Sequence, residues 1–391
     1  MEDEDKMEFR TIKELCDLVV DCPHSTPAWT EQGKIVIRNN NIKNGKIDLS
    51  SPSFTDDEHF TQRTKRAIPK AGDIVITREA PMGEVGMIPE KVECCLGQRM
   101  VLLRVNNQLC DNYYLLYSLQ SSIVQQQISW SMGTGTTVSN LRIPHLEQIR
   151  VPYVPLDKQR QISSVLCAIE EKIDNNSKVN DNLQQQAAAL FSSLYNRSNT
   201  EVRYTDLIQI LGGGTPKTGE TAYWNGNIAF FTPKDVGTPY TFITEKTITE
   251  EGLSHCNSRL YPVNTVFVTA RGTVGKVGLS GIPMAMNQSC YALVGKETHQ
   301  LLVYFYTLKA VDRLKHKASG AVFDAITTRD FDSEQIMKLS DDDAKAFLCV
   351  AEPMFQEMLN NSIENLRLST LRDFLLPKFM SGEIDISNIQ F

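Results

Sequence analysis

Residues that could carry out catalysis are few in this 391-residue sequence. Residues 272–277, with the sequence GTVGKV, have some features of a phosphate-binding loop. However, the glycine spacing is wrong and no Ser or Thr follows Lys276, so a hairpin turn is the better interpretation. The zinc-protease pattern HExxH, the nucleophile pattern GxSxG and the Asn-Pro dipeptide used by amino-group methyltransferases are absent from the sequence. Glu170 and Glu171, followed by Lys172, could form part of a nuclease site, yet a solvated charged helix face is the simpler explanation. The sequence therefore predicts a non-catalytic chain.

The composition is that of an ordinary globular protein. Hydrophobic residues make up 41% and charged residues 22%, and no stretch approaches 18 uncharged apolar residues, so we expect a cytoplasmic protein without a membrane span. The net charge of −7 argues against a uniformly basic nucleic-acid-binding protein. The nine cysteines have irregular spacing and no CxxC pair, which predicts reduced thiols and no zinc site. They are Cys16, Cys22, Cys94, Cys95, Cys110, Cys167, Cys256, Cys290 and Cys349.

The sequence contains an internal duplication. Residues 68–78 (IPKAGDIVITR) and 261–271 (YPVNTVFVTAR) each resemble an apolar strand that ends in an arginine, followed by a glycine-containing turn. This alignment pairs Arg78 with Arg271. Further pairs keep the same order: Thr26-Pro27 with Thr215-Pro216, Gln98 with Gln288, 116–119 with 305–308, and 147–149 with 334–336. An ordered series of matches with nearly constant spacing indicates one fold present twice.

Each half ends in a long predicted helix, at about residues 156–197 and 340–379. Two heptad series lie three and four residues apart in each helix, which is the a/d seam of a coiled coil. The seam of the first helix is Ile162, Leu166, Ile169, Ile173, Asn176, Asn180, Leu183, Ala187, Leu190 and Leu194; that of the second is Phe347, Ala351, Met354, Met358, Asn361, Asn365, Leu368, Arg372, Leu375 and Phe379. The asparagine pairs Asn176/Asn180 and Asn361/Asn365 predict a fixed register. We favour an antiparallel pairing over a parallel one, because it would place one globular half at each end of the helices.

The expected fold class is α+β, with two globular domains joined by two long helices that form an antiparallel coiled coil, and an internal pseudo-two-fold repeat. Strand patterns and glycine-rich turns recur in both halves, and a helix follows near residues 111–128 and 300–316. The expected segments are a first domain at 1–155, a first helix at 156–200, a second domain at 201–339, and a second helix with a C-terminal tail at 340–391. Their formal charges are −3, 0, +1 and −5. The acidity is therefore concentrated in the last segment, and the globular domains are close to neutral.

Polar segments in both halves could contact a polyanion. Loops follow matched strands at residues 38–41 and 232–235, and Arg, Asn and Lys can hydrogen-bond base edges in the major groove. A solvated surface or unselected loop variation would explain these patterns equally well, and the Gly/Thr-rich residues 133–138 suit either a backbone-contacting loop or a linker. The candidate DNA-binding residues are Arg38, Asn39, Asn40, Asn41, Lys43, Arg63, Lys65, Arg66, Arg78, Thr134 and Thr136 in the first half, and Lys217, Thr232, Lys234, Asp235, Arg271, Thr273, Lys315 and Lys317 in the second.

Several segments resemble the specificity (S) subunit of Type I restriction–modification systems. They are residues 214–216 (GTP), 223–228 (YWNGNI), 232–236 (TPKDV), the helix entry at 154–162 (VPLDKQRQI) and the closing segment 376–384 (LPKFMSGEI). The resemblance covers essentially the whole chain. The sequence departs from the family pattern at residues 339–343 (LSDDD), where the second helix lacks a Pro-Leu-x-x-Gln entry, and at residues 22–27 (CPHSTP), where the other half has a glycine run.

The resemblance implies two target-recognition domains, each reading one half of a bipartite site in double-stranded DNA, with the helices setting the spacer. It also implies two methyltransferase (M) subunits and, for cleavage, endonuclease/translocase (R) subunits. S-adenosylmethionine, ATP and Mg²⁺ are then expected on those partners, and no cofactor is expected in this chain.

Two functions of other classes remain open from the residues alone. One is an assembly scaffold that binds only proteins through its two halves. The other is a fragment of a nuclease or methyltransferase, which the missing cofactor motifs make less favourable. Steeply salt-dependent DNA binding would distinguish DNA recognition from the scaffold.

Overall fold

The computed structural model describes residues 7–130, 140–237, 239–317 and 325–386. Two compact units are present: Met1–Ile173 together with Leu366–Phe391, and Asp174–Asn365. Both long helices contribute residues to both units, so the units do not coincide with the four segments expected from the sequence. No helix in the described ranges is long and apolar enough to cross a membrane.

Within the described residues, the first unit contains eleven strands, six helices that begin in its first segment, and the last part of the long helix that ends at Met380. The strands are β1 (Glu8–Thr11), β2 (Cys16–Asp21), β3 (Lys34–Ile37), β4 (Ile42–Lys43), β5 (Lys46–Ile47), β6 (Ser53–Thr55), β7 (Ile74–Thr77), β8 (Val85–Met87), β9 (Cys94–Leu96), β10 (Met100–Val105) and β11 (Arg150–Tyr153). The helices are α1 (Ile12–Leu15), α2 (Asp57–Arg63), α3 (Asn112–Gln120), α4 (Ser122–Trp130), α5 (Ile143–Gln148) and the first part of α6 (Leu156–Tyr195). A 3-10 turn spans Asn39–Asn41.

Two sheets form the core of the first unit. The larger sheet has the order β2-β10-β7-β8 and is antiparallel, while the smaller one has the order β6-β3-β9 with β3 and β9 parallel. Ile74 and Ile76 pack among the apolar residues of α3 and α4, whereas Val75, on the other face, packs with Ile37 of the smaller sheet. Alternating strand residues thus bury both faces of the larger sheet. The helix expected near residues 111–128 is divided, because Ser121 adopts an extended conformation between α3 and α4.

The second unit repeats this plan. Its strands are β12 (Thr200–Arg203), β13 (Ile208–Gly212), β14 (Trp224–Phe231), β15 (Tyr240–Thr241), β16 (Lys246–Ile248), β17 (Val266–Thr269), β18 (Val277–Ser280), β19 (Met284–Met286), β20 (Cys290–Gly295) and β21 (Gln335–Lys338). Its helices are α7 (Tyr204–Leu207), α8 (Glu250–Ser254), α9 (Gln300–Lys317), α10 (Thr328–Ser333) and the first part of α11 (Asp341–Met380), with the last part of α6. The sheets have the orders β13-β20-β17-β18-β15 and β16-β14-β19. Phe267 of the larger sheet packs with Phe231 of the smaller one.

Hydrogen bonds correct the alignment of the two halves at the turn after β7 and β17. Gly83 N donates to Thr77 O at 2.9 Å, and Gly275 N donates to Thr269 O at the same distance. Arg78 therefore corresponds to Ala270, and the alignment of Arg78 with Arg271 is wrong by one residue. A shift of one residue places a side chain on the opposite face of a strand.

The long helices meet through the predicted asparagines. In the second unit, Asn361 Nδ2 donates to Asn180 Oδ1 at 3.0 Å, and Asn176 Nδ2 donates to Asn365 Oδ1 at 2.9 Å. Since the partner number falls from 365 to 361 as the residue number rises from 176 to 180, the two segments run antiparallel, as expected. Asn176 and Asn361 are buried.

A partly buried ion cluster joins the long-helix segments of the first unit to strand β5. Glu170 accepts from Arg372 at 2.5 Å and lies 2.9 Å from the ammonium of Lys46. The Glu170 side chain is only 15% exposed. The expectation of a solvated charged face at Glu170 is therefore wrong, because strand β5 and helix α11 cover it.

Candidate nucleic-acid interface

In the first unit, the loop after β3 contacts the turn after β7. Asn39 Nδ2 donates to Glu79 O at 2.8 Å and so joins the two segments. Arg38 is exposed, and its guanidinium lies 5.1 Å from the centroid of the Trp29 ring, a cation–π distance that limits its conformations. Asn40, two residues further along the loop, is exposed. Arg38 and Asn40 are thus candidate side chains displayed on a fixed loop.

Asn41, in the same loop, is used to build the loop itself. Its Oδ1 accepts from Arg38 N at 2.9 Å and its Nδ2 donates to Asp48 O at 2.9 Å. Only 6% of the residue is exposed. The structure therefore gives Asn41 a supporting role, whereas Lys43 in β4 is exposed.

Arg63 is also buried, contrary to its expected place on a basic surface. Its guanidinium donates to the carbonyls of Leu96, Ser25 and Pro23 at 2.9, 2.9 and 3.2 Å. These bonds satisfy a charged group inside the domain and leave it little access to a ligand. Lys65 and Arg66, which follow in the chain, are exposed.

Arg78 is likewise occupied within the first unit. Its Nη1 donates to both carboxylate oxygens of Asp21 at 2.8 and 2.9 Å, its Nε to Leu141 O at 2.9 Å, and its Nη2 to Asn140 Oδ1 at 3.1 Å. Only 8% of the residue is exposed. Arg78 therefore connects β2 to the turn and the segment after it, and its guanidinium donors are used within the unit.

In the second unit, the loop after β14 has the same place as the loop after β3. Asp235 Oδ2 accepts from Thr232 N at 2.7 Å and from Thr232 Oγ1 at 2.6 Å, and Asp235 Oδ1 accepts from Glu245 N at 2.8 Å. Thr232 and Asp235 therefore shape the loop. Lys234 is exposed and forms a loose ion pair with Glu245 at 3.4 Å.

The turn after β17 contacts this loop and carries the predicted basic residues. Thr273 Oγ1 donates to Pro233 O at 3.3 Å, and Arg271 is exposed. Lys315 of α9 crosses the turn: a β-carbon built on Gly275 would lie 2.5 Å from Lys315 Cε and 3.3 Å from its Nζ. The fold thus brings Lys315 to the turn that carries Arg271 and Thr273, although Lys315 lies more than 40 residues after Arg271 in the sequence.

The remaining candidates are Lys317 on α9, Lys217 on another loop, and two threonines outside the described residues. Lys317 and Arg313 bind the fully buried carboxylate of Glu334 at 2.5 and 2.7 Å, so Lys317 is used within the fold. Lys217 is exposed in the loop after β13. Thr134 and Thr136 lie outside the described residues.

Three features of the surface were missed in the sequence. Trp29 supports Arg38, and Lys276 is exposed beside the turn of Arg271. Arg99 lies 3.1 Å from Glu79 and so belongs to the turn of the first unit. Lys276 could have been found from the sequence, because it directly follows Gly275 in the turn that the duplication identifies. The contacts of Trp29 and Arg99 depend on distant parts of the chain.

The described residues contain no group of three His, Cys, Asp or Glu side chains able to hold a metal ion. The nine cysteines are free. Burial raises the pKa of Cys94 and Cys290 to about 12 and that of Cys95 to about 11. These three thiols stay protonated at neutral pH and are poor nucleophiles.

Comparison with known proteins identifies a family. A family model described as Type I restriction modification DNA specificity domain matches residues 4–185 and, in a second copy, residues 196–338. The Type I restriction enzyme MjaIX specificity subunit of Methanocaldococcus jannaschii is 32% identical over 124 residues, which cover 30% of this chain and 29% of that protein. The HindI specificity subunit of Haemophilus influenzae is 28% identical over 186 residues, covering 46% of this chain and 40% of that protein. Less than half of either relative is therefore matched.

A solved structure has the same fold. The S subunit of a Type I restriction–modification system from M. genitalium aligns with a TM-score of 0.62 at 16% identity, over 97% of this chain and 98% of that one. The expected fold class, with its duplicated domain and two long helices, is confirmed by this alignment and by the two copies of the family model.

Proposed function

The chain belongs to the Type I restriction–modification DNA specificity family, and on this basis we propose that it selects a bipartite site in double-stranded DNA. The two units read one half-site each. The chain contributes recognition, and its partners carry out methylation and cleavage. The resemblance found in the sequence and the two copies of the family model support this proposal.

One structural observation carries the proposal. In each unit, the loop after the central strand of the smaller sheet touches the turn of the larger sheet, through Asn39 and Glu79 in one case and through Thr273 and Pro233 in the other. The backbone plan of this surface is the same, but the exposed side chains differ. A shared scaffold with different side chains suits two readers of different half-sites, because base edges are distinguished by the side chains that reach them.

We propose a division of roles among the candidate residues. Arg38, Asn40 and Lys234 lie on the loops and are placed to meet base edges or phosphates, while Lys43, Lys65, Arg66 and Lys217 are exposed cations for phosphates. Asn41, Thr232 and Asp235 hold the loops in shape. Arg63 and Arg78 stabilise the fold from inside, and the exposed Lys317 is held by the buried carboxylate of Glu334.

The partners and cofactors follow from the family and form part of the proposal. Two methyltransferase subunits would bind S-adenosylmethionine, and endonuclease/translocase subunits would bind ATP and Mg²⁺. The target base would be flipped into the methyltransferase pocket. Because the recognition segments of this chain carry net charges of only −3 and +1, the partners would supply much of the charge that binds phosphate.

Exchange of one recognition segment tests the proposal. Residues 201–339 are replaced by the equivalent segment of another family member, and the chain is co-expressed with its methyltransferase in cells whose methylated motifs are then mapped. We expect only one half of the bipartite motif to change. A change in both halves would refute the assignment of one half-site to each unit. The absence of any bipartite motif with the unaltered chain would refute DNA recognition and favour a scaffold.

A further inference from the structure

The turn of the larger sheet has opposite charge in the two units. The matched hydrogen bonds that pair Thr77 with Thr269 also pair Glu79 with Arg271 and Glu84 with Lys276. Glu84 N donates to Thr77 Oγ1 at 3.0 Å, and Lys276 N donates to Thr269 Oγ1 at 2.9 Å. Two acidic positions of the first unit are therefore basic in the second.

A third matched position changes in the same direction. In the first unit, Gln125 of α4 lies over the glycine of the turn, and its Nε2 donates to Gly83 O at 3.0 Å. In the second unit, Lys315 of α9 crosses the corresponding Gly275. A neutral amide that is bonded to the turn is thus replaced by a lysine whose ammonium lies beside it.

In the first unit, the acidic residue Glu79 of this turn is already bound by neighbouring side chains of the same unit. Glu79 binds Arg99 at 3.1 Å and accepts from Asn140 Nδ2 at 2.7 Å, and its side chain is 19% exposed. In the second unit, Arg271, Lys276 and Lys315 are all exposed, and none of their side chains has a hydrogen-bond or ion-pair partner among the described residues. Three cations around a single turn repel one another, and a polyanion would relieve that repulsion.

We infer that Arg271, Lys276 and Lys315 form a phosphate anchor that is present in the second unit alone. This inference rests on the proposed function and adds to it that the two units hold DNA unequally. The anchor contacts the sugar–phosphate backbone of double-stranded DNA, and its contribution is independent of base sequence. Thr273 Oγ1, which is bonded to Pro233 O, fixes the turn against the neighbouring loop.

The test is a salt titration with duplex DNA of random sequence. The full chain and the variant R271Q/K276Q/K315Q are compared by fluorescence anisotropy, both alone and as complexes with the co-expressed methyltransferase. Three phosphate contacts contribute about 2.7 to the slope of log K against log salt, so the affinity of the unaltered chain should fall about 40-fold more than that of the variant between about 50 and 200 mM salt.

Two matched variants separate this anchor from a general effect of charge. K178Q/R197Q/K345Q removes three exposed positive charges from the long helices and the turn after α6 in the same unit, and it should leave the salt slope unchanged. E84K places a lysine at the position of Lys276 in the first unit and should steepen the slope by about 0.9. An equal loss of slope in the helix variant, or an unchanged slope in E84K, would overturn the inference.

The outcomes also distinguish the anchor from site recognition. If R271Q/K276Q/K315Q keeps the salt slope of the unaltered chain while the methylated motif is still bipartite, the anchor is refuted and the proposed function stands. If the variant instead loses specificity at one base of one half-site without a change in slope, Arg271 or a lysine reads a base edge, and the anchor is again refuted.

Discussion

The ion pair between Asp21 and Arg78 allows a test of how much a paired charge stabilises the first unit, with the second unit as the reference. Strand registers match Asp21 with Gly212, because Val101 pairs with Asp21 and Tyr291 pairs with Gly212 at the same place in β10 and β20. Arg78 corresponds to Ala270. The second unit therefore lacks both members of the pair, and the fold does not need the pair as such. We predict that D21A and R78A each destabilise the first unit. The double variant D21A/R78A should lose much less stability than the sum of the two single losses.

The magnitude follows from the burial of the two groups. Removing one member of a buried pair costs about 3–5 kcal/mol, because the remaining charge loses its partner. Asp21 has an 18% exposed side chain, so the lower end, about 3 kcal/mol, is expected for D21A. In R78A, the carboxylate keeps a contact with His24 at 3.0 Å, and about 2 kcal/mol is expected. The double variant should cost about 2 kcal/mol, which gives a coupling of about 3 kcal/mol.

Hydrogen exchange of backbone amides measures these values locally, which avoids treating two units as one cooperative transition. The opening free energies of amides in β7 and β10 should follow the predicted series. Amides in β17 and β20 of the second unit are the internal control and should not change. Additive effects of D21A and R78A would refute the reasoning, since they would mean that neither charge depends on the other.

Two further predictions concern the long helices. N361L removes the donor to Asn180 Oδ1 and should cost about 1–3 kcal/mol in the opening free energy of the paired segments, whereas N180L/N361L should recover most of it, because both polar groups are then absent. Equal losses in the single and double variants, measured by hydrogen exchange of residues 174–195, would contradict this. Burial by itself would raise the pKa of Glu170, but its bonds to Arg372 and Lys46 outweigh burial and hold the pKa below its usual value. The stabilisation is therefore complete above the pKa of the unfolded chain and is lost as pH falls through the lower folded value. Exchange protection near Glu170 should decrease in acid, and E170Q, but not the exposed E171Q, should remove that part of the pH dependence.

The functional surface was only partly predictable from the sequence. The loops at 38–41 and 232–235 and the turns after β7 and β17 were identified, since turn residues and strand patterns are local signals. The sequence did not identify which side chains of these loops and turns are exposed. Arg38 and Asn40 are exposed on the loop. Asn41, the next residue, is buried and bonds to Arg38 N and Asp48 O. The sequence alignment pairs Arg78 with Arg271, yet Arg78 is enclosed and Arg271 is exposed, because the true register differs by one residue.

The sequence by itself determined the duplication, the two long helices and the meeting of their asparagines. These features depend on periodicity within a segment or on the similarity of two segments, and both can be recognised from the amino-acid sequence alone. Only the tertiary structure decided which charged side chains are available to a ligand. Arg63 is bound by the carbonyl of Leu96, Arg78 by the carbonyl of Leu141, and Glu170 by Lys46 and Arg372. These partners come from distant parts of the chain, and the charge of a side chain does not reveal whether the fold has already satisfied it. The free energy of burying a charge depends on the groups around it in space. The tertiary structure is therefore needed to decide which side chains are free to contact a ligand and which support the fold.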